Sequence, residues 1–196
     1  MTLSVKSAAV IAGGASRRMG QNKALLQQDG APLVFHITQL LRSLFQDVVI
    51  VTTDTAVAQA AHVPSIFDTY PGKGPLGGVH AALRHYQAPV FCVACDLPFL
   101  NVQAIQFLCG QLTDCDAALP RMGGQAQPLH AVYAPSCLPV FEKELTGERV
   151  RRMEQVLAPL EVHFLEEAQW LPFGDPQKIF TNLNTPEEAR AAGFSL

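Results

Sequence analysis

Hydrophobic and polar positions along this chain follow two rhythms that take turns. Short, uninterrupted apolar runs stand at 8–12, 48–51, 65–67 and 90–94. Bounded by glycine, threonine or aspartate, such runs predict strands buried on both faces. Between them, 32–45 sets Leu33, Ile37, Leu40, Leu41 and Leu44 on one helical face. Residues 55–61, 76–86 and 102–112 predict further helices. The second half is less regular, with strands predicted at 117–119, 129–133 and 162–165 and helices at 136–145, 149–157 and 186–190. Thr185 stands where it can cap the last helix, with Pro186 at its first position. Doubly buried strands alternating with helices predict a three-layer, doubly wound α/β fold around a mostly parallel sheet. No repeat, low-complexity tract or linker divides 1–196, which predicts one domain.

Composition narrows the function. Of 196 residues, 48% are hydrophobic and 16% charged, which excludes a disordered chain and a simple coiled coil. The formal charge of -3 argues against a general nucleic-acid or acidic-membrane binder. No apolar run reaches the ~18 residues of a membrane span. The N-terminus is too weakly apolar for a secretion signal, and Ser16-Arg17-Arg18 lacks the apolar region that should follow a twin-arginine export core. The expected location is the cytoplasm. Five cysteines make an odd count, unlike a secreted disulfide scaffold. Cys92 and Cys95 form a C-x-x-C inside a predicted strand, where residues three apart face opposite ways. That spacing argues against zinc or redox chemistry.

In open α/β sheets, ligands bind beyond the carboxyl ends of the strands. Polar and glycine-rich residues of this chain gather there. The first predicted strand runs into Ala12-Gly13-Gly14-Ala15-Ser16-Arg17-Arg18-Met19-Gly20-Gln21-Asn22-Lys23. Glycines let backbone close on a ligand and free N–H groups cradle phosphate, while Arg18 offers a planar fork and Lys23 a point charge. The loop is neither a Walker A nor a dinucleotide fingerprint, because it lacks G-K-[ST] and G-x-G-x-x-G. Asp68 closes the third strand ahead of the glycine-rich 70–78, where a carboxylate can accept hydrogen bonds from a ligand. Asp96, after the fourth strand, suits Mg²⁺ bridging nucleotide phosphates. Each segment also has a plainer reading: a glycine turn with solvated cations, or an aspartate capping a helix.

Together these residues resemble a known family. A strand followed by A-G-G-x-S-x-R-M-G-x-x-K resembles the signature of nucleotidyltransferases with the nucleotide-diphospho-sugar transferase (glycosyltransferase-A-like) fold. The closest likeness is to the molybdenum cofactor guanylyltransferase family, the molybdopterin-guanine dinucleotide biosynthesis protein A family. Gly74-Pro75-Leu76-Gly77-Gly78, Cys95-Asp96-Leu97-Pro98, Gln127-Pro128-Leu129, Gly147-Glu148-Arg149 and Asn182-Leu183-Asn184-Thr185-Pro186 are similar to its further segments, in its order. The resemblance implies transfer of GMP from GTP to molybdopterin, giving molybdopterin guanine dinucleotide and pyrophosphate. It implies Mg²⁺ on Asp96, with Mn²⁺ as a substitute, and Arg18, Lys23 and Asp96 as catalytic residues. It implies nucleotide-site roles for Ile11, Ala12, Gly13, Gly14, Lys23, Asp68, Gly74, Gly78 and Asp96. Asn182 and Asn184 would hold the site together, and the segments from 127 onward would shape the molybdopterin side. Implied partners are GTP, molybdopterin and proteins that carry or accept the molybdenum cofactor.

Two positions depart from the family. Val51-Thr52-Thr53 lacks the polar residue common at the second strand end, so no base or ribose contact is expected there. His130 has no clear counterpart and reads as a packed or surface histidine rather than a catalyst. Three rivals stay open: cytidylyl transfer to the same pterin, a sugar-phosphate nucleotidylyltransferase, and a non-catalytic nucleotide- or partner-binding module. Gly13 leaves room that a purine would use, which favours GTP.

Overall fold

A computed structural model describes residues 4–13, 22–148 and 151–195. The first half of the chain runs β1 (Ser7–Ile11), β2 (Gln27–Gln28), β3 (Ala31–Pro32), α1 (Leu33–Arg42), β4 (Asp47–Val51), α2 (Thr55–Ala61), β5 (Ser65–Ile66), α3 (Pro75–Tyr86), β6 (Val90–Ala94) and α4 (Val102–Cys109). The second runs β7 (Ala117–Met122), β8 (Gln125–Ala126), β9 (His130–Tyr133), α5 (Leu138–Leu145), α6 (Met153–Leu157), β10 (Val162–Glu166), α7 (Pro176–Ile179) and α8 (Pro186–Ala191). Short 3₁₀ turns occupy Lys23–Leu25, Pro135–Cys137 and Glu167–Phe173.

The main sheet has the order β10-β7-β9-β6-β1-β4-β5, with β8 beside β7. β1 pairs in parallel with β4 and β6, β4 with β5, and β7 with β10, while β9 runs antiparallel between β6 and β7. The expected α/β sheet, mostly parallel with helices on both faces, is the one observed. Side chains alternate across it as strand geometry demands. Ala8, Val10, Ile50 and Phe91 enter the layer under α1 and α4, and Ala9, Ile11, Val49 and Cys92 the layer under α3 and α5. Because both layers are apolar, the central strands read as unbroken hydrophobic runs in sequence.

Cys92 packs into one core layer and Cys95 against the other, as their spacing predicts. Burial raises both thiols, Cys95 to about 12, so neither is a ready thiolate. Of the two places open to His130, core and surface, it takes the core. It is 1% exposed, with the Phe91 ring on one side and the Phe180 ring on the other, both edge-on at about 5 Å. Neither ring nitrogen has a hydrogen-bond partner among the described residues, and burial pushes its pKa down to about 3.

Some boundaries shift. The helix expected at 149–157 is described from Met153, and residues 149 and 150, with Arg149, lie outside the described residues. The helix expected from Ser136 opens as the Pro135–Cys137 turn, with α5 proper beginning at Leu138. The β2–β3 hairpin, β8, α7 and the Glu167–Phe173 turn had no clear pattern in the sequence. The last is anchored by Trp170, fully buried, whose indole N–H donates to the Leu165 carbonyl at 3.2 Å. Among the described residues no helix is long and apolar enough to cross a membrane.

Candidate active site

Parallel register builds the rim on which the site stands. Ile11 sits level with Val51 on one side and Ala94 on the other, and Val51 with Ile66. The residues just past these positions therefore emerge together at one sheet edge. Backbone bonds hold them: Ala12 N–H to the Val51 carbonyl at 3.0 Å, Thr52 N–H to Ile66 at 3.2 Å, and Cys95 N–H to Ile11 at 3.3 Å. In strand order the chain steps from β1 outward to β4 and β5, then returns to β6 on the other side of β1. Ligands bind at such reversals.

A cavity of about 310 Å³ opens at this rim, lined by Ile11, Gly13, Val51, Thr52, Thr53, Asp68, Pro71, Gly72, Gly74 and Gly78. Its size falls within the ~300–1,000 Å³ of small-ligand sites. Asp68 is oriented by a hydrogen bond from the Tyr70 N–H to its Oδ1 at 2.7 Å. The start of α3 fits beneath it only because Gly77 and Gly78 in its first turn carry no side chain. A β-carbon at Gly77 would land on the Asp68 carboxylate, and one at Gly78 would come within 2.7 Å of Ile11 Cγ2. Gly74 enters the helix at φ +75, a conformation that glycine adopts without strain. At Gly13 a β-carbon would meet nothing within 4 Å among the described residues.

Beside the cavity lies a charged cluster. Lys23 Nζ donates to Asp96 Oδ2 at 3.2 Å and to Asn184 Oδ1 at 2.9 Å. Both ion-pair partners are partly shielded, at 16% and 22% side-chain exposure. These residues come from positions 23, 96 and 184, and backbone closes the third leg: Leu183 N–H donates to the Asp96 carbonyl at 3.0 Å. Asn184 is fixed in turn by α8. Glu188 accepts from the Asn184 and Thr185 N–H groups, and Thr185 caps the helix as expected. Asp96 is not a helix cap. The cap of α4 is Asn101, which accepts from the Ala104 N–H at 3.0 Å.

A second cleft, about 490 Å³, is lined by Lys73, Pro75, Leu76, Gln125, Ala126, Pro128, Arg151, Arg152, Met153 and Glu154. The loop before α3 separates it from the first cavity: Gly72 and Gly74 line one, Lys73 and Pro75 the other. Lys73 Nζ donates to the Gly147 carbonyl at 2.7 Å. Arg151 is no merely solvated cation. It holds Glu144 through its own N–H and two guanidinium contacts, at 2.6, 2.9 and 2.7 Å.

Ile11, Gly13, Asp68, Gly74 and Gly78 thus share one cavity, and Lys23, Asp96 and Asn184 one cluster. Ala12 follows β1 directly, with its N–H committed to the Val51 carbonyl of β4. Asn182 is exposed, with no hydrogen bond to Lys23 or Asp96 among the described residues. Gly14 and Arg18 lie outside the described residues. Sequence reasoning missed Gly77, which the glycine run did signal. It also set aside Val51, Thr52 and Thr53, which line the cavity. Thr52 and Thr53 follow the end of a parallel strand, and that position was the available signal.

The chain is similar to known proteins over most of its length. The family model for the MobA-like NTP transferase domain matches residues 8–164. A protein of Bacillus cytotoxicus named probable molybdenum cofactor guanylyltransferase is 34% identical over 188 residues, covering 91% of this chain and 92% of its own. One of the same name from Pelotomaculum thermopropionicum is 33% identical over 181 residues, covering 91% and 87%. The crystal structure of molybdopterin-guanine dinucleotide biosynthesis protein A from Archaeoglobus fulgidus superposes with a TM-score of 0.81 at 29% identity, over 95% of this chain and 96% of that one. With strand-end glycines, a carboxylate-walled cavity and a lysine–aspartate pair in place, the chain belongs to the MobA-like NTP transferases, a family of nucleotidyltransferases.

Proposed function

We propose that this protein transfers GMP from GTP to molybdopterin, releasing pyrophosphate. The observation that carries the proposal is the juxtaposition at one rim of the Asp68-walled cavity and the Lys23–Asp96 pair. Asp68 offers acceptors suited to the N1–H and 2-amino group of guanine. Gly13, which has no side chain, lines the same cavity, and there a purine finds room. Lys23 supplies charge for the triphosphate. Relatives named for guanylyl transfer support the same reading.

In the reaction, an oxygen of the molybdopterin phosphate forms a bond to the α-phosphorus of GTP, and the bond from that phosphorus to the β-phosphate oxygen breaks. The nucleophile is already anionic at neutral pH, so no general base is needed. The protein's task is alignment and neutralisation of charge. Lys23 neutralises the phosphates, and the glycine rim brings backbone close to them. The second cleft, with Lys73, Arg151 and Arg152, is the proposed seat of the anionic pterin.

The residues fit Mg²⁺. Only Oδ2 of Asp96 is engaged among the described residues, and no group of three or more His, Cys, Asp or Glu side chains gathers there. One partly shielded carboxylate, completed by phosphate oxygens and water, is how Mg²⁺ is commonly held, whereas a ready-made cage is not needed. Asp96 would hold the ion, which when bound offsets phosphate charge; Mn²⁺ suits the same donors. We place the reaction in the cytoplasm, and hand-over to a protein acceptor of the cofactor belongs to this reading.

The test is incubation with molybdopterin, Mg²⁺ and GTP, CTP or ATP in turn, measuring pyrophosphate release. Release with GTP well above the other two is expected. Release with CTP alone would make it a cytidylyltransferase, and none with any would refute catalysis on this pterin.

A further inference from the structure

Lys23 reaches Asp96 from the three-residue turn Lys23–Leu25, whose Ala24 is buried in the core. Asn22 holds it. Its Oδ1 accepts from the Ala24 N–H at 3.1 Å, capping the turn, and its Nδ2 donates to Asp54 Oδ2 at 2.9 Å. Asp54 is anchored elsewhere. Its Oδ1 accepts from the Ala56 and Val57 N–H groups at the start of α2, at 2.9 and 3.2 Å. Its own N–H donates to Thr52 Oγ1 at 3.1 Å, and the Thr52 N–H donates to the Ile66 carbonyl at 3.2 Å. A series of hydrogen bonds therefore leads from β5, through the Thr52 wall of the cavity, to the turn that carries Lys23.

We propose that the Asn22–Asp54 hydrogen bond is the strut that sets Lys23, making both residues positioning residues for the triphosphate. The proposal rests on reading the cavity and cluster as a nucleoside triphosphate site. Chemistry dictates the residue types. Position 22 must accept at one end and donate at the other, which an amide does and a carboxylate does not. Position 54 must present two acceptors, one for the helix and one for the amide. Capping alone would need only one of the two oxygens. The other is spent on a residue 32 positions away in sequence. The strut lets the nucleoside wall and the phosphate cation move as one body.

Calorimetry with GTP and with GMP, each in Mg²⁺, tests this. The ratio of the two affinities reports the cation acting on the β- and γ-phosphates. Asn22→Asp keeps the turn cap but sets two carboxylates together, and should lower that ratio roughly five- to tenfold. The reciprocal pair Asn22→Asp with Asp54→Asn keeps both caps and re-forms the bond between positions 22 and 54 with its direction reversed, and should restore the ratio to within about twofold. Asn22→Ser, which caps the turn but cannot span to Asp54, should lower the ratio similarly and serves where Asn22→Asp folds poorly. A purely structural role would weaken GTP and GMP in parallel. An unchanged ratio in either single variant, or no recovery in the reciprocal pair, overturns the strut alone. Wild-type protein that binds neither nucleotide overturns the site reading and the strut with it.

Discussion

The two halves of the sheet position chemistry differently. Apart from Lys23 on its own turn and the glycines at the start of α3, the functional groups from β1 to β6 stand one or two residues beyond strands that end level with one another. The ladder itself makes them rigid. From β7 onward, the groups ride on loops: Arg151 between α5 and α6, Asn184 just before α8. Each loop group needs its own tie, Arg151 to Glu144 and Asn184 to Lys23 and Glu188. The difference separates two tasks. A fixed frame suits phosphates that must be aligned for in-line displacement. Loop-borne cations suit a cleft that receives a second substrate. Changes in the first half should therefore strike the chemical step or nucleotide selection, and changes in the second should strike acceptor use.

The sharpest break is Asp96→Asn. It should lower pyrophosphate release about 10²–10³-fold with little loss of GTP binding; near-normal turnover would remove Asp96 from the chemistry. Next comes base selection. Asp68→Ala should reduce the preference for GTP over ATP on the order of 10²-fold, because the partner of the guanine donors is lost. Gly77→Ala should do part of the same by pushing the carboxylate aside. Selectivity untouched in both would take Asp68 out of recognition. Across the loop, Arg151→Met should raise the KM for molybdopterin roughly tenfold while the KM for GTP stays within about twofold; a shift in GTP alone would merge the two clefts into one task. Smallest is an effect on stability rather than activity. His130 must stay neutral to remain buried, and its folded pKa of about 3 lies below the unfolded value of 6.5. Its neutral form costs nothing above pH 6.5. As pH falls from there toward 3, the unfolded state gains a proton that the native state refuses. Stability should therefore fall by about 1 kcal/mol per pH unit. Thermal melts at pH 7 and 5 should show His130→Phe losing less than the wild type. Equal losses would assign the acid sensitivity elsewhere.

Periodicity and punctuation alone determined the α/β class, the order of the main strands and helices, and the places where chemistry gathers. The physical reason is that strands buried on both faces leave unbroken apolar runs, and their polar ends are local features of the chain. Local chemistry also marked Thr185 as a helix cap and set Cys92 and Cys95 on opposite faces. Only the tertiary structure decided what depends on contacts between distant residues. Asp96 meets Lys23 rather than capping α4, because Asn101 takes that duty. Asn184 returns from 161 residues away to complete the cluster. Val51, Thr52 and Thr53 join the cavity because register with β1 brings them to its rim. The Glu167–Phe173 turn carries neither the period of a helix nor that of a strand, and it folds because Trp170 finds a core to enter. A single chain in sequence order encodes faces and ends; which ends meet is settled by packing, where side chains far apart in sequence compete for the same partner.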